Sequence, residues 1–219
     1  MKNVALLFVL SFLLAVNGNA QTASATWALT ADTAVVVTGN VAAPGQVLSK
    51  TPVTTDTMTV RDYINGTGSS GSPVVAEMIW LDGTGWPQES LQNNGRYIQF
   101  SVSPITGNSF MIQSIAMKIG CLGSNGHFFA NIYYSLDSSF TTLKKLNSAP
   151  LTLPDVRTVP LSELSYSPTV VVNNGQIFYV RIYPWYDTTA KNPAIKYICL
   201  ASVVITGNTA TQTRMTKVK

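Results

Sequence analysis

The chain has 219 residues, of which 11% are charged, and a formal net charge of +4. Lys2 and three cations near the C-terminus, Arg214, Lys217 and Lys219, supply that charge, so residues 21–213 are neutral as a whole. A chain without a clustered basic stripe is not expected to bind nucleic acid.

The N-terminus has the layout of a secretory signal peptide. Lys2 precedes an uninterrupted apolar run from Val4 to Val16, and the small residues Gly18 and Ala20 follow it. This order predicts cleavage after Ala20, with residues 1–20 as the signal peptide, and a protein that is secreted or held at the cell surface. The run has 13 residues, fewer than the roughly 20 that a transmembrane helix needs. No second run of that length follows, so no membrane span is predicted.

From Gln21 onward the chain predicts β-strands almost throughout. Segments rich in Val, Ile, Tyr, Phe and Thr alternate with Gly, Pro, Asn, Asp and Ser, which is typical of strands joined by turns. Residues 21–208 therefore predict one all-β module, a two-sheet antiparallel β-sandwich that is jelly-roll-like, and residues 209–219 predict a disordered tail. The predicted strands are Thr26–Leu29, Ala34–Thr38, Thr57–Val60, Tyr97–Val102, Phe110–Gly120, Phe128–Tyr134, Thr169–Val172, Ile177–Tyr183 and Tyr197–Ile205.

Local patterns add detail to these strands. The apolar alternation of Phe110–Gly120 changes phase near Gln113, which predicts a β-bulge. Asn174-Gly175 predicts a hairpin turn, because it supplies positive φ angles, and Pro160–Leu164 predicts one turn of helix. The alternation predicts a set of buried core side chains: Ile115, Met117, Ile119, Ile132, Tyr134, Val180, Ile182, Val203 and Ile205.

Two cysteines, Cys121 and Cys199, share strand parity with apolar residues and are predicted to face the core. An extracellular protein can form a disulfide. The sequence does not establish that the two residues are close, so a Cys121–Cys199 bridge and two free thiols both stay open.

Several segments, taken in order along the chain, resemble a known module. They are Ala25–Leu29, Asn94–Phe100, Ala130–Asp137, Val180–Tyr186 and Lys196–Leu200. They resemble the N-terminal β-sandwich module of secreted bacterial proteins that carry pectate lyase-like or pectin esterase-like catalytic domains. The resemblance covers most of residues 25–207. It implies a non-catalytic, carbohydrate-associated module next to a covalently linked or associated catalytic domain, and it assigns no ligand-binding residue.

Catalytic constellations are scarce in the sequence. His127 is the only histidine, and no GxSxG nucleophile motif accompanies it. Glu77 and Glu89 lie in the same region and could form the pair of carboxylates that glycoside hydrolysis needs. Nothing else supports either arrangement, so no enzyme and no catalytic residue are predicted. A structural calcium ion is a further hypothesis, with Asp137 and Asp187 as candidate ligands and solvated turns as the alternative.

Aromatic residues give the sharpest positive signal, because sugar rings stack on flat aromatic side chains. Residues Val74–Asn94 predict a long connection, and connections of this length are usually functional or packed as a small layer. Pro184 is expected to end a strand, so that the aromatic residues after it emerge at a loop edge. The predicted ligand-binding residues are Trp80, Trp86, Arg96, Tyr183, Trp185 and Tyr186; Arg96, Arg61 and Arg181 are candidate donors to a uronate carboxylate.

The sequence therefore predicts a secreted, non-catalytic module that binds pectin-like polysaccharide and is accessory to a degrading enzyme. The alternative is a structural or adhesive module that spaces domains or contacts a protein partner. An exposed, coplanar aromatic pair in a groove would favour the first function. Full burial of Trp86 and Trp185 would favour the second.

Overall fold

The structure is a computed structural model that describes residues 20–49, 58–67, 73–81, 86, 88–123, 127–187 and 196–212. Within these residues it contains strands and no helix, hence none that could cross a bilayer. The strands are β1 Gln21–Trp27, β2 Val35–Thr38, β3 Val41–Ala42, β4 Val47–Leu48, β5 Met58–Thr67, β6 Pro73–Leu81, β7 Ile98–Pro104, β8 Asn108–Leu122, β9 Phe128–Ser135, β10 Lys144–Lys145, β11 Leu151–Thr152, β12 Ser162–Tyr166, β13 Val170–Val172, β14 Phe178–Tyr186 and β15 Tyr197–Thr211.

The strands form two antiparallel sheets. In sheet 1, β8 pairs with β15; β12 and β13 pair with β8, whereas β1 and β6 pair with β15 and lead to β2 and β5. In sheet 2, β14 lies between β9 and β7; β10 and β11 pair with β9, and β3 and β4 pair with β7. The two sheets enclose one main core, which confirms the predicted all-β sandwich.

Side chains that alternate inward from the two sheets fill this core. Trp27 from sheet 1 meets Phe100 from sheet 2 edge-on, with ring centroids 5.1 Å apart. Every residue that the alternation predicts for the core is buried. Burial of an apolar side chain of this size contributes about 1.5–3 kcal/mol, so these residues are a main source of the stability of the sandwich.

The bulge predicted near Gln113 is confirmed. The β8–β15 ladder shifts by one residue between Thr206 and Gly207, which leaves Gln113 without an opposite residue. A Cβ atom on Gly207 would overlap the carbonyl oxygen of Met111, so glycine is required opposite the bulge. A second bulge in β15, which the sequence analysis did not predict, lies at Ser202, where φ is 50°.

The second bulge explains the positions of the cysteines. It changes the phase of β15, so that Cys199 and Ala201 face away from the main core while Val203 faces into it. Cys121 lies in the main core, where its thiol donates to the Leu153 carbonyl at 3.3 Å, and neither cysteine is in a disulfide. The prediction that both cysteines face one core is therefore wrong, and no bridge forms between them. Burial raises the pKa of the Cys199 thiol.

Two predicted turns differ in the structure. The Asn174-Gly175 turn forms, with a φ of 82° at Gly175. It joins β13 of sheet 1 to β14 of sheet 2, so the predicted hairpin is wrong and the turn is a crossover between sheets. The helical turn predicted over Pro160–Leu164 is also wrong, because Ser162–Tyr166 pairs with β8 as a strand.

The last strand, β15, extends beyond the predicted end of the module. β15 continues to Thr211, and Thr209 is buried. The prediction of a disordered tail is therefore wrong for residues 209–211. Their Thr-rich composition is the reason that no strand was predicted there. Residues 213–219 and residues 1–19 lie outside the described residues, and the signal peptide stays a prediction. β1 begins at Gln21, directly after the predicted cleavage site.

Candidate functional site

Trp86 and Tyr186 close one end of the core. Each is 1% exposed. Both rings pack against Phe128, with centroids 5.1 Å from it in each case. Their placement leaves no exposed ring face on which a sugar could stack.

Pro184 does not end strand β14, contrary to the prediction. The strand continues to Tyr186 and stays paired with β9. Its pairing with β7 stops at Ile182, so beyond that point β14 needs ladder bonds on one side only and tolerates a proline. Tyr183 and Trp185 therefore stay within the sheet instead of emerging in a loop.

Trp80 lies apart from Trp86. The predicted connection Val74–Asn94 begins as strand β6, and Trp80 belongs to it. Its ring lies nearly parallel to that of Tyr197, at 23° and 6.1 Å between centroids, on sheet 1. The structure therefore does not combine the two tryptophans into one surface.

Arg96 is not available to a uronate carboxylate. It is 3% exposed, and its guanidinium pairs with Glu89 at 2.5 Å and lies 5.9 Å from the centre of the Trp86 ring. Trp86 Nε1, Glu89 Oε2, Arg96 Nε and the Tyr186 hydroxyl are buried here without a hydrogen-bond partner among the described residues. The cluster is a buried polar element at the sandwich end. The side chain of Arg61 lies outside the described residues.

The outer face of sheet 2 gathers aromatic side chains from β9, from β14 and from Tyr97, directly before β7. Tyr183 lies 5.7 Å from Tyr97 and 5.6 Å from Tyr133 between ring centroids. Trp185 stacks on Phe129 at 5.6 Å and 24°. We call this surface the aromatic face; its members are Tyr97, Phe129, Tyr133, Tyr179, Tyr183 and Trp185.

Exposure divides the aromatic face into two groups. Tyr183 and Trp185, which the sequence analysis selected, are 3% and 6% exposed and form its floor. The other four members are half-buried and keep part of their rings at the surface. The sequence analysis missed these four, although the alternation of β9, with Phe128 and Ala130 inward, already indicates that Phe129 faces out.

Arg181 organises the middle of the aromatic face. Its guanidinium carbon lies 3.9 Å from the centre of the Tyr97 ring and 3.8 Å from that of Phe140. Its Nε donates to Gln99 Oε1 at 2.8 Å, and NH2 donates to the Ser138 carbonyl at 2.9 Å. The Arg181 guanidinium, a candidate donor to a uronate carboxylate, is thus bound within the protein, where it connects the 136–142 loop to the sheet.

Polar side chains lie between the rings. Gln99 and Asn131 occupy the outer positions of β7 and β9, and Asn131 donates to Gln92 at 2.8 Å. Burial raises the pKa of the Tyr183 hydroxyl, so that hydroxyl stays protonated near neutral pH. Amides and hydroxyls beside aromatic rings are the groups that orient a sugar.

The outer face of sheet 1 differs in composition. Thr22, Ser24 and Thr26 project from β1, and Lys118 pairs with Glu163 at 2.6 Å on β8 and β12. A shallow cavity of about 440 Å³ around that pair has no aromatic residue in its lining. The group of six aromatic side chains therefore belongs to sheet 2, whereas sheet 1 carries the stacked pair of Trp80 and Tyr197.

The candidate calcium ligands lie at opposite ends of β9. Asp137 accepts hydrogen bonds from the amides and hydroxyls of Ser139 and Thr141, which lower the pKa of its carboxyl group. Asp187 pairs with His127 at 3.0 Å. Among the described residues, neither belongs to a cluster of three side chains able to hold a metal ion. The structure supports the alternative of a turn for Asp137.

The carboxylates considered for catalysis are also separate. Glu77 bonds to Gln46 at 2.9 Å, whereas Glu89 pairs with Arg96. His127 contacts Asp187, and within the described residues its ring makes no hydrogen bond to a serine. These contacts assemble neither of the two arrangements that the sequence offered and that were not predicted as sites.

No protein-family model matches this chain, and no curated protein sequence matches it. The xylan-binding module CBM15 is similar in structure, with a TM-score of 0.37 and 12% identity over 80% of this chain and 100% of that one. The mosquito-larvicidal Cry4Aa toxin from Bacillus thuringiensis, in its functional form, has a TM-score of 0.34 and 10% identity over 77% of this chain. The match spans 23% of the toxin chain. Both TM-scores are low, and neither likeness bears on what this chain binds.

Proposed function

We propose that this chain is a secreted, non-catalytic β-sandwich module that binds extracellular polysaccharide through the aromatic face. The observation that carries the proposal is the set of half-buried rings, Tyr97, Phe129, Tyr133 and Tyr179, with the half-buried amide of Gln99 on the same face. Sugars present apolar C–H faces that pack on such rings, and their hydroxyls pair with amide side chains. A pectin-like ligand and a partner enzyme that degrades it are the finer proposal, which follows from the family resemblance.

The face is wide enough for more than one sugar unit. Strands lie about 4.8 Å apart, so a line across β7, β14 and β9 extends for about 10 Å, which suits roughly two sugar rings. The floor made by Tyr183 and Trp185 keeps the exposed rings at fixed positions, so little side-chain entropy is lost on binding.

The test is calorimetric titration of neutral and pectic oligosaccharides against the mature chain and three variants. Tyr133→Ala and Tyr97→Ala remove half-buried rings from the aromatic face. Tyr197→Ala is the matched control, because it removes a half-buried tyrosine from sheet 1. An aromatic contact contributes about 0.5–1.5 kcal/mol, so each face variant should bind several-fold to about tenfold more weakly. The control should bind like wild type.

Two results would contradict the proposal. If wild type binds no glycan, the chain is not a glycan-binding module. If wild type binds and all three folded variants bind equally well, the aromatic face is not the binding surface.

A structural or adhesive module is the second candidate. The burial of Trp86 and Trp185, at 1% and 6% exposed, favours it, because these rings serve packing. The same titration separates the candidates, because a structural module binds none of the oligosaccharides.

A further inference from the structure

We infer that Lys145 makes this module selective for anionic sugars, by receiving the carboxylate of an acidic sugar that stacks on Tyr133. The inference rests on the proposed function and adds a residue that determines specificity. It depends on one row across sheet 2, in which Tyr133 lies between Arg181 and Lys145.

The register of the strands establishes this row. Tyr133 of β9 pairs with Arg181 of β14 on one side and with Lys145 of β10 on the other. Directly opposite residues in an antiparallel pair point to the same face, with Cβ atoms about 4.5–5.5 Å apart. Lys145 is exposed and Tyr133 is half-buried. A substituent at the edge of a sugar on Tyr133 is thus within reach of a lysine side chain.

The charges around Tyr133 leave a place for an anion. Arg181 contributes positive charge, but each of its three guanidinium nitrogens already donates a hydrogen bond within the protein. Lys145 makes no ion pair with a carboxylate among the described residues. Asp137 is satisfied within its own turn, and Asp187 pairs with His127 beyond the other end of β9. Two cations therefore flank the ring, and of the two Lys145 is the exposed one.

The neighbouring lysine provides an internal control. Lys144 is also exposed, but it pairs with Tyr134, whose side chain belongs to the core. Lys144 lines a cavity of about 270 Å³ at the sandwich edge together with Tyr134 and Val170. Replacement of Lys144 or Lys145 removes the same charge from adjacent positions, and only one of them lies on the aromatic face.

The experiment compares two forms of one ligand, an oligogalacturonate and its fully methyl-esterified, neutral form, by calorimetric titration. Exposed ion pairs contribute about 0.2–1 kcal/mol, so Lys145→Gln should weaken binding of the acid about 1.4- to fivefold and leave binding of the ester unchanged. Lys144→Gln should change neither, and Lys145→Arg should retain the preference for the acid. The preference of wild type should shrink in high salt, because salt screens exposed charges.

The outcomes separate this inference from the proposed function. If wild type binds neither form, both are wrong. If wild type binds and Lys145→Gln keeps the full preference for the acid, the role of Lys145 is wrong while glycan binding stands. Equal losses in Lys144→Gln and Lys145→Gln would indicate a general charge effect and would also overturn the inference.

Discussion

Glu77 gives the sharpest test of the structure through the pH dependence of stability. Its side chain on β6 is 0% exposed. Among the described residues it accepts one hydrogen bond, from Gln46 Nε2 to Oε2 at 2.9 Å, and Oε1 has no partner. Burial raises the pKa of Glu77 to about 7, against the lowering effect of the Gln46 bond. Glu77→Gln keeps the size of the side chain and removes its titration.

The direction in which the free energy of unfolding changes with pH follows from the number of protons that each state binds. The folded protein keeps a proton on Glu77 up to pH about 7, whereas the unfolded chain releases it near 4.5. Between these values the folded state binds more protons, so the free energy of unfolding falls as pH rises. Each pH step of one across this window costs about 1.4 kcal/mol. Wild type should therefore lose about 3 kcal/mol of stability between the two values, and the variant should not.

Denaturant unfolding of wild type and Glu77→Gln at a series of pH values measures this effect, because the difference between them cancels the other titrating groups. The two proteins should be similarly stable below pH 4.5, and the variant should be about 3 kcal/mol more stable above pH 8. Glu163→Gln is the control: Glu163 is exposed, and its bond to Lys118 lowers its pKa. A wild-type-minus-variant difference that does not change with pH would show that Glu77 is not buried as described.

Two further substitutions test the packing. Ile182→Ala should lower the free energy of unfolding by about 2–5 kcal/mol, because it leaves a cavity between the sheets; a loss within the scatter of surface variants would mean that the strand parity is wrong. Arg96→Met should cost at most about 3–5 kcal/mol, because it removes the cation beside the largely buried Glu89 carboxylate, which keeps the hydrogen bond from Asn93. The folded Arg96→Met variant should bind acidic and neutral sugars in the same ratio as wild type, whereas a selective loss of acidic sugars would place Arg96 in the binding site.

The fold was predictable because its signal is local. Alternation of apolar residues along single strands, as in Phe110–Gly120, indicates both the sheet face and the bulge at Gln113. The Ser202 bulge was not predictable, because residues on either side of it, Ala201 and Val203, are equally apolar. Because of this shift of one residue, the prediction placed Cys199 on the wrong face of sheet 1.

The candidate site was only partly predictable because it depends on register between distant strands. Tyr183 and Trp185 were selected for their place beside Pro184, and they do lie on the aromatic face, as its floor. Tyr133 lies on β9 and Tyr97 directly before β7, and both meet Tyr183 only through the pairing of β14 with these two neighbours. Spacing along one chain does not contain that information.

The arrangement of Arg181 explains why residues selected from the sequence support the candidate site from below, whereas residues that were not selected would contact a ligand. Its guanidinium bonds to Gln99 and Ser138 and lies against Tyr97 and Phe140. These bonds and its burial turn Arg181 towards the protein instead of a ligand, and they hold the Tyr97 ring and the 136–142 loop in place before any ligand arrives. A surface ordered in advance loses less entropy on binding. Within the proposed function, Arg181 is therefore a positioning residue, and direct contact falls to the half-buried rings and to Lys145.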